Sequence, residues 1–123
     1  MMNQELYMDL SIIIVNWNTG KLLVECVRSI HKFTTGRSFE IIVVDNASSD
    51  DSVQMLEKEF PEINLTKNTE NVGFAKANNQ AYSQAKGKYI NEISLDTYLL
   101  HLYYRELVLP KEKYMILRRA CCF

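Results

Sequence analysis

The stretch Ile41-Ile42-Val43-Val44-Asp45-Asn46-Ala47-Ser48-Ser49-Asp50-Asp51-Ser52 decides the fold. Four apolar, mostly β-branched residues run unbroken into a carboxylate and then into small polar residues suited to capping a helix. Such a run predicts a strand buried on both faces and ending at Asp45, with the next helix starting near Ser49 or Asp50. Asp45 then stands at the carboxyl end of a parallel strand, where open α/β sheets place their ligands. The same Asp, with Asn46 and Ser48, also fits a plain turn or cap.

Working outward, residues 9–17 repeat this logic. Leu10, Ile12, Ile13, Ile14 and Val15 form an apolar run that Asn16-Trp17-Asn18-Thr19-Gly20 closes. From Thr19 the period changes: Leu22, Leu23, Cys26, Val27 and Ile30 fall at helical spacing, with Lys21, Glu25, Arg28 and Lys32 facing away. Beyond the central strand, Val53, Leu56 and Phe60 mark a second helix that Pro61 stops. Residues 63–66 alternate apolar with polar, as a strand near a sheet edge does. Gly73 opens a third helix whose buried side is expected to carry Phe74, Ala77, Ala81, Tyr82 and Ala85, with Gly87 as its end. A fourth strand starts at Lys88 and runs toward Asp96, but Asn91-Glu92 interrupts its apolar character, and beyond Ile90 the sequence changes character as if broken near residue 91. The order βαβαβαβ with right-handed crossovers predicts a mainly parallel sheet layered by helices.

At 123 residues the chain is one domain, able to bury about two thirds of its unfolded surface. With 14 basic and 15 acidic residues the net charge is -1, which leaves no electrostatic footprint for nucleic acid. No apolar run approaches the roughly 20 residues of a spanning helix, and residues 1–10 lack a leader pattern. The expectation is a cytoplasmic protein, at most peripheral to the inner face of the membrane. Cys26, Cys121 and Cys122 have spacings of neither a zinc site nor a disulfide framework, so reduced thiols are expected.

Three phrases in order, Ser11-Ile12-Ile13-Ile14-Val15-Asn16-Trp17-Asn18, Ile42-Val43-Val44-Asp45-Asn46-Ala47-Ser48-Ser49-Asp50, and Asn68 with Asn71-Val72-Gly73-Phe74-Ala75 and Asn78-Asn79, resemble one family. They are similar to the amino-terminal, donor-binding half of family 2 glycosyltransferases of GT-A fold, in particular bacterial rhamnosyltransferase-like members. The resemblance implies a Rossmann-like α/β fold and transfer of a sugar from a nucleotide-diphospho-sugar to a glycan or lipid-linked acceptor. It also implies Mg2+ or Mn2+ on the pyrophosphate.

With that resemblance, Asp45 is the candidate base reader, since its carboxylate can accept a hydrogen bond from the imide N–H of uracil or thymine. Asn16, Asn18 and Asn46 close strands at the same edge and are candidate nucleotide contacts. Asn18 equally fits a cap on the first helix. Trp17 is read as packing rather than as a stacking platform. Asn71 and Gly73 lie before a helix amino terminus, which favours an anion, although an ordinary β-to-α turn uses the same residues.

The family's metal motif is Asp-x-Asp or Asn-Pro-Asp-Thr, and this chain offers Ser94-Leu95-Asp96-Thr97. Asp96 is the single candidate metal ligand, expected to hold the cation weakly, and it also fits a helix cap. The donor-binding half is assigned to residues 1–97. Residues 98–123 form a divergent tail, as a truncation or frameshift would produce. No catalytic base is marked, because nothing in their spacing distinguishes His101, Glu106 or Glu112. A cut sheet with a Leu- and Tyr-rich tail predicts self-association, for instance as a homodimer. The alternative is a nonenzymatic nucleotide-binding or self-associating α/β module. A flavodoxin-like receiver is disfavoured, since Asn16-Trp17-Asn18 supplies no acidic cluster.

Overall fold

The computed structural model describes residues 8–95. Strands β1 (Met8–Asn16), β2 (Phe39–Asp45), β3 (Asn64–Lys67) and β4 (Gly87–Ser94) alternate with helices α1 (Lys21–Phe33), α2 (Ser52–Glu59) and α3 (Phe74–Tyr82). The four strands form one parallel sheet in the order β3-β2-β1-β4. As the apolar runs predict, β1 and β2 lie in the middle, and β3 takes an edge.

Because successive side chains in a strand point to opposite faces, the two central runs feed two separate cores. Leu10, Ile12, Ile14, Ile41 and Val43 pack with Leu23, Val27 and Ile30 of α1 and Leu56 of α2. Ile13, Ile42 and Val44 face Ala77 and Ala81 of α3. Helices α1 and α2 thus share one face of the sheet, and α3 crosses the other against β1 and β2 to deliver β4 to the far side of β1. Arg28 of α1 reaches Glu59 of α2 at 2.9 Å, but both ends are largely solvated, so the pair contributes only a few tenths of a kcal/mol.

Several expectations are corrected. Helix α2 starts at Ser52, after Asp51, because Ser48 to Asp50 are engaged in bonds to the neighbouring turn. Phe74 belongs to α3 but is 55% exposed, so the buried stripe of that helix is Ala77, Asn78 and Ala81. Gly87 does not end α3, which stops at Tyr82, but is the first residue of β4. The fourth strand does run on through Asn91 and Glu92, as expected. Register with β1 is kept through Ile12↔Asn91, Ile13↔Glu92, Ile14↔Ile93 and Val15↔Ser94.

The polar interruption of β4 carries a cost instead. Asn91 is 1% exposed, and among the described residues neither its Oδ1 nor its Nδ2 has a hydrogen-bond partner. It shares the α1 face with Tyr89, Ile93 and Leu95, all in or against the larger core. A buried amide without partners destabilises by about 1–3 kcal/mol. Asn91→Leu is therefore expected to raise the thermal midpoint by several degrees in calorimetry, and an unchanged or lower midpoint would show that the amide is satisfied in solution.

Candidate functional site

The carboxyl ends of β1, β2 and β3 bring three turns to one edge of the sheet: residues 17–20, 46–51 and 68–73. Asp45, the last residue of β2, is 4% exposed and serves as the acceptor at the centre. Its Oδ1 accepts from Asn16 Nδ2 at 2.9 Å and from Ser48 Oγ at 2.5 Å, and its Oδ2 accepts from the Ser48 N–H at 3.1 Å. A carboxylate offers about four lone-pair directions, so one on Oδ2 stays open to a ligand.

Asn16, fully buried, is the strut beneath this carboxylate. Its Nδ2 also lies 3.2 Å from Ser48 Oγ and 2.9 Å from Ser52 Oγ, and its Oδ1 accepts from the Thr19 hydroxyl. Asn46, buried on the other side of β2, ties in the third turn: its Nδ2 donates to the Gly73 carbonyl at 3.2 Å, while its Oδ1 accepts from Val72 N–H at 3.3 Å and Asn68 Nδ2 at 3.1 Å. Asn68 and Gln80 exchange reciprocal amide bonds of 2.8 and 3.0 Å. Both amide ends of Asn16 and Asn46 are thus spent on protein.

Asn18 is exposed and left-handed, with φ 53°, and bridges the first two turns. Its N–H donates to Ser48 Oγ at 2.9 Å, and its Oδ1 accepts from the N–H groups of Ser49 at 2.7 Å and Asp50 at 3.3 Å. It does not cap α1, whose N-cap is Gly20 without a side-chain cap bond. Ala47 also has positive φ, 62°, a conformation costing an L-residue about 1–2 kcal/mol. Strain of this kind gathers where surrounding bonds hold a turn in a functional shape.

Asp50 completes the frame. Its Oδ2 accepts from the Gly20 N–H at 2.8 Å, and its Oδ1 from Ser52 Oγ at 2.6 Å and Ser52 N–H at 3.2 Å. Burial works to raise its pKa, but the bonds from the Ser52 hydroxyl and the Gly20 and Ser52 N–H groups outweigh it, and the value falls below the ordinary 3.8. Being lowered on folding, Asp50 supports the fold fully above its ordinary pKa, and that support is lost as pH falls through the lowered value.

In the third turn Asn71 is exposed, with its Oδ1 accepting from Gly73 N–H at 2.9 Å. Gly73 has φ 88° and is the N-cap of α3, without a side-chain cap bond. Trp17, expected to pack, is 57% exposed beside these turns. Asp96 lies outside the described residues, and among those described no group of three or more His, Cys, Asp or Glu is placed to hold a metal. A groove of about 540 Å³ lies elsewhere, at the edge where β2 begins, lined by His31, Phe39, Phe60 and Ile63 among others. It shares no residue with the polar edge.

The expected residues Asn16, Asn18, Asp45, Asn46, Asn71 and Gly73 are therefore gathered at one edge, in different roles. Asn16 and Asn46 face inward, whereas Asn18, Asn71 and Gly73 face solvent. Asp50, Ser52 and Gln80 were not singled out. The available signal for Ser52 was a small polar residue in the first turn of a helix whose inner face is otherwise apolar.

A parallel α/β sheet with polar turns converging at its carboxyl edge is the architecture of a ligand-binding α/β domain, and the comparisons identify it as one of GT-A glycosyltransferase type. The model of Glycosyl transferase family 2 matches residues 11–115. The chain belongs to this family. Glycosyltransferase GlyG of Streptococcus pneumoniae serotype 4 is 39% identical over 90 residues, 71% of this chain and 30% of that protein. The poly(ribitol-phosphate) beta-N-acetylglucosaminyltransferase TarS of Staphylococcus aureus is 31% identical over 96 residues, 75% of this chain and 17% of that one.

Among solved structures, S. aureus TarS 1-349 in complex with UDP-GlcNAc superposes with a TM-score of 0.60 at 32% identity, over 72% of this chain and 27% of that fragment. The mannosyltransferase PcManGT from Pyrobaculum calidifontis, in complex with GDP-Man and Mn2+, gives 0.62 at 28% identity, over 73% and 28%. The chain spans 30% of the length of GlyG and 17% of that of full-length TarS. Among the described residues no helix is long and apolar enough to cross a membrane.

Proposed function

We propose that the chain is the donor-binding half of a glycosyltransferase and binds a uridine or thymidine diphospho-sugar along the carboxyl edge of β1, β2 and β3. The observation that carries this reading is the Asp45 carboxylate, held by Asn16 and Ser48 with one acceptor direction left over. An acceptor fixed in place selects an imide N–H, which uracil and thymine present and adenine does not. Exposed Trp17 offers a face on which the base can stack. The first-turn N–H groups of α3 lack a side-chain cap, and with Gly73 they suit the diphosphate.

The donor chemistry of Asp96 suits a divalent cation, a hard ion that takes carboxylate oxygen. β4 runs parallel to β1 up to Ser94, so the carboxyl end of the strand lies at the same sheet edge as Asp45. When bound, Mg2+ or Mn2+ would neutralise the diphosphate. TarS and PcManGT, in complex with UDP-GlcNAc and with GDP-Man and Mn2+, support a nucleotide-sugar and a metal here. Titration calorimetry is the test. Uridine diphosphate is expected to bind more tightly with manganese than without, and Asp96→Ala to remove that gain. Binding indifferent to metal in both proteins would reject Asp96 as a ligand, and no binding of uridine or thymidine diphosphate would reject the donor site.

Transfer to a glycan or lipid-linked acceptor belongs, in this reading, to a longer protein of which residues 1–97 supply the donor side. Among the described strands β4 has one hydrogen-bonded neighbour, leaving an edge that promotes self-association. Sedimentation equilibrium is expected to show dimers or larger species, and a monodisperse monomer at high concentration would contradict it.

A further inference from the structure

Two carboxylates at this edge are joined through protein atoms alone. Asn16 Nδ2 donates to Asp45 Oδ1 at 2.9 Å and to Ser52 Oγ at 2.9 Å, and Ser52 Oγ in turn donates to Asp50 Oδ1 at 2.6 Å. Asp50 anchors the far end by accepting the Gly20 N–H at 2.8 Å, at the N-cap of α1. Ser52 and Asn16 are fully buried, so solvent does not compete for the links between them. The Asn16 amide has only two hydrogens for three acceptors within 3.2 Å. Its aim at Asp45 therefore depends on how firmly Ser52 holds the other hydrogen.

We propose that Asp50 is a positioning residue for base recognition, acting through Ser52 and Asn16 to hold the Asp45 carboxylate in the orientation that reads an imide. The inference rests on the donor-site reading of Asp45. Asp50 orients the Ser52 hydroxyl as a donor, which leaves the Ser52 lone pair facing Asn16. Asn16 is then fixed with one hydrogen on Ser52 and the other toward Asp45. Cutting the chain at Asp50 or at Ser52 frees the Asn16 amide to turn, and Asp45 loses a fixed donor on the side away from the ligand.

The test uses Asp50→Asn, Ser52→Ala and the double variant in the 123-residue chain, with uridine diphosphate and adenosine diphosphate as probes. Each single variant is expected to lower the preference for uridine over adenosine diphosphate by about 5-fold, the scale of one hydrogen bond, with adenosine diphosphate affinity nearly unchanged. Because both cut the same relay, the double variant should lose no more than either single one, whereas independent structural damage would add. Amide spectra supply a readout without nucleotide: the side-chain NH2 resonances of Asn16 should shift in both single variants. Unmoved Asn16 resonances, or additive losses, or equal losses for both nucleotides, would overturn the proposal. A wild-type protein that binds both nucleotides alike would overturn the role in base reading, while the Asn16 resonances would still report whether the relay itself exists.

Discussion

Asp45→Ala is expected to weaken uridine or thymidine diphosphate binding by about 1.5–3 kcal/mol, the range for a hydrogen bond to a charged group, and to leave adenosine diphosphate nearly unaffected. The magnitude follows from where the carboxylate stands. It is 4% exposed, so the bond it would make to an imide is shielded from water, and its other directions are held by Asn16 and Ser48. The same substitution leaves the Ser48 N–H without its acceptor, which lowers stability by about 1 kcal/mol and must be separated from the binding effect. Thermal melts separate them. Asp45→Asn keeps the volume and an acceptor for Asn16, but sets an NH2 group against both the imide and the Ser48 N–H, so the uridine preference should fall with a stability loss like that of Asp45→Ala. Calorimetric titrations with both nucleotides, paired with thermal melts, distinguish these outcomes. Equal losses for both bases would indicate a damaged edge, and no loss for either would remove Asp45 from the site.

Gly87→Ala is expected to cost about 3 kcal/mol of stability, near the upper end of the overpacking range, and to lower the thermal midpoint by roughly 10 °C. A Cβ at this position would lie 2.4 Å from the backbone N of Ser11 and 2.7 Å from the carbonyl carbon of Leu10. Those atoms belong to the central strand and are tied on both sides, by Ser11↔Glu40 and Ser11↔Ile90 pairing, so they have nowhere to move. The Gly87 N–H donates to Ser11 Oγ at 2.8 Å, and Ser11 Oγ donates to Glu40 at 2.6 Å. Seating β4 therefore depends on backbone approaching backbone at this one residue. Adding Ser11→Ala should not rescue Gly87→Ala, because the nearest clashing atom is main chain. A melt within a degree or two of the parent would show that β4 joins β1 more loosely than the register indicates.

Much of the fold is legible in the chain of letters because it follows from local periodicity. The unbroken run Ile41 to Val44 reads as a strand covered on both faces, and it is. The α1 stripe of Leu23, Val27 and Ile30 is amphipathic at helical spacing, and those residues are buried. Residues 63–66 alternate, and β3 is an edge strand. Periodicity failed where a side chain's role depends on a distant neighbour. Gly87 looks like a helix stop because Gly often is one, and only the approach of Ser11, far away in sequence, shows that it opens a strand. Asn91 and Glu92 lack an apolar pattern of their own, and pairing with Ile12 and Ile13 carries the strand through them.

The candidate site divides in the same way. By itself the sequence determined that Asp45 ends a buried parallel strand and that Asn16, Asn18, Asn71 and Gly73 close or follow strands at the same edge, since strand direction in a βαβ chain places every β-to-α turn there. Which of these residues turn inward was decided only by tertiary structure. The order β3-β2-β1-β4 sets the three turns side by side, so that Asn16 and Asn46 find acceptors and donors across turns and become struts, and Asp50 and Ser52 close the frame. A polar side chain is buried only where partners from other segments meet it, and that meeting is a property of the packed chain, not of any window of its sequence.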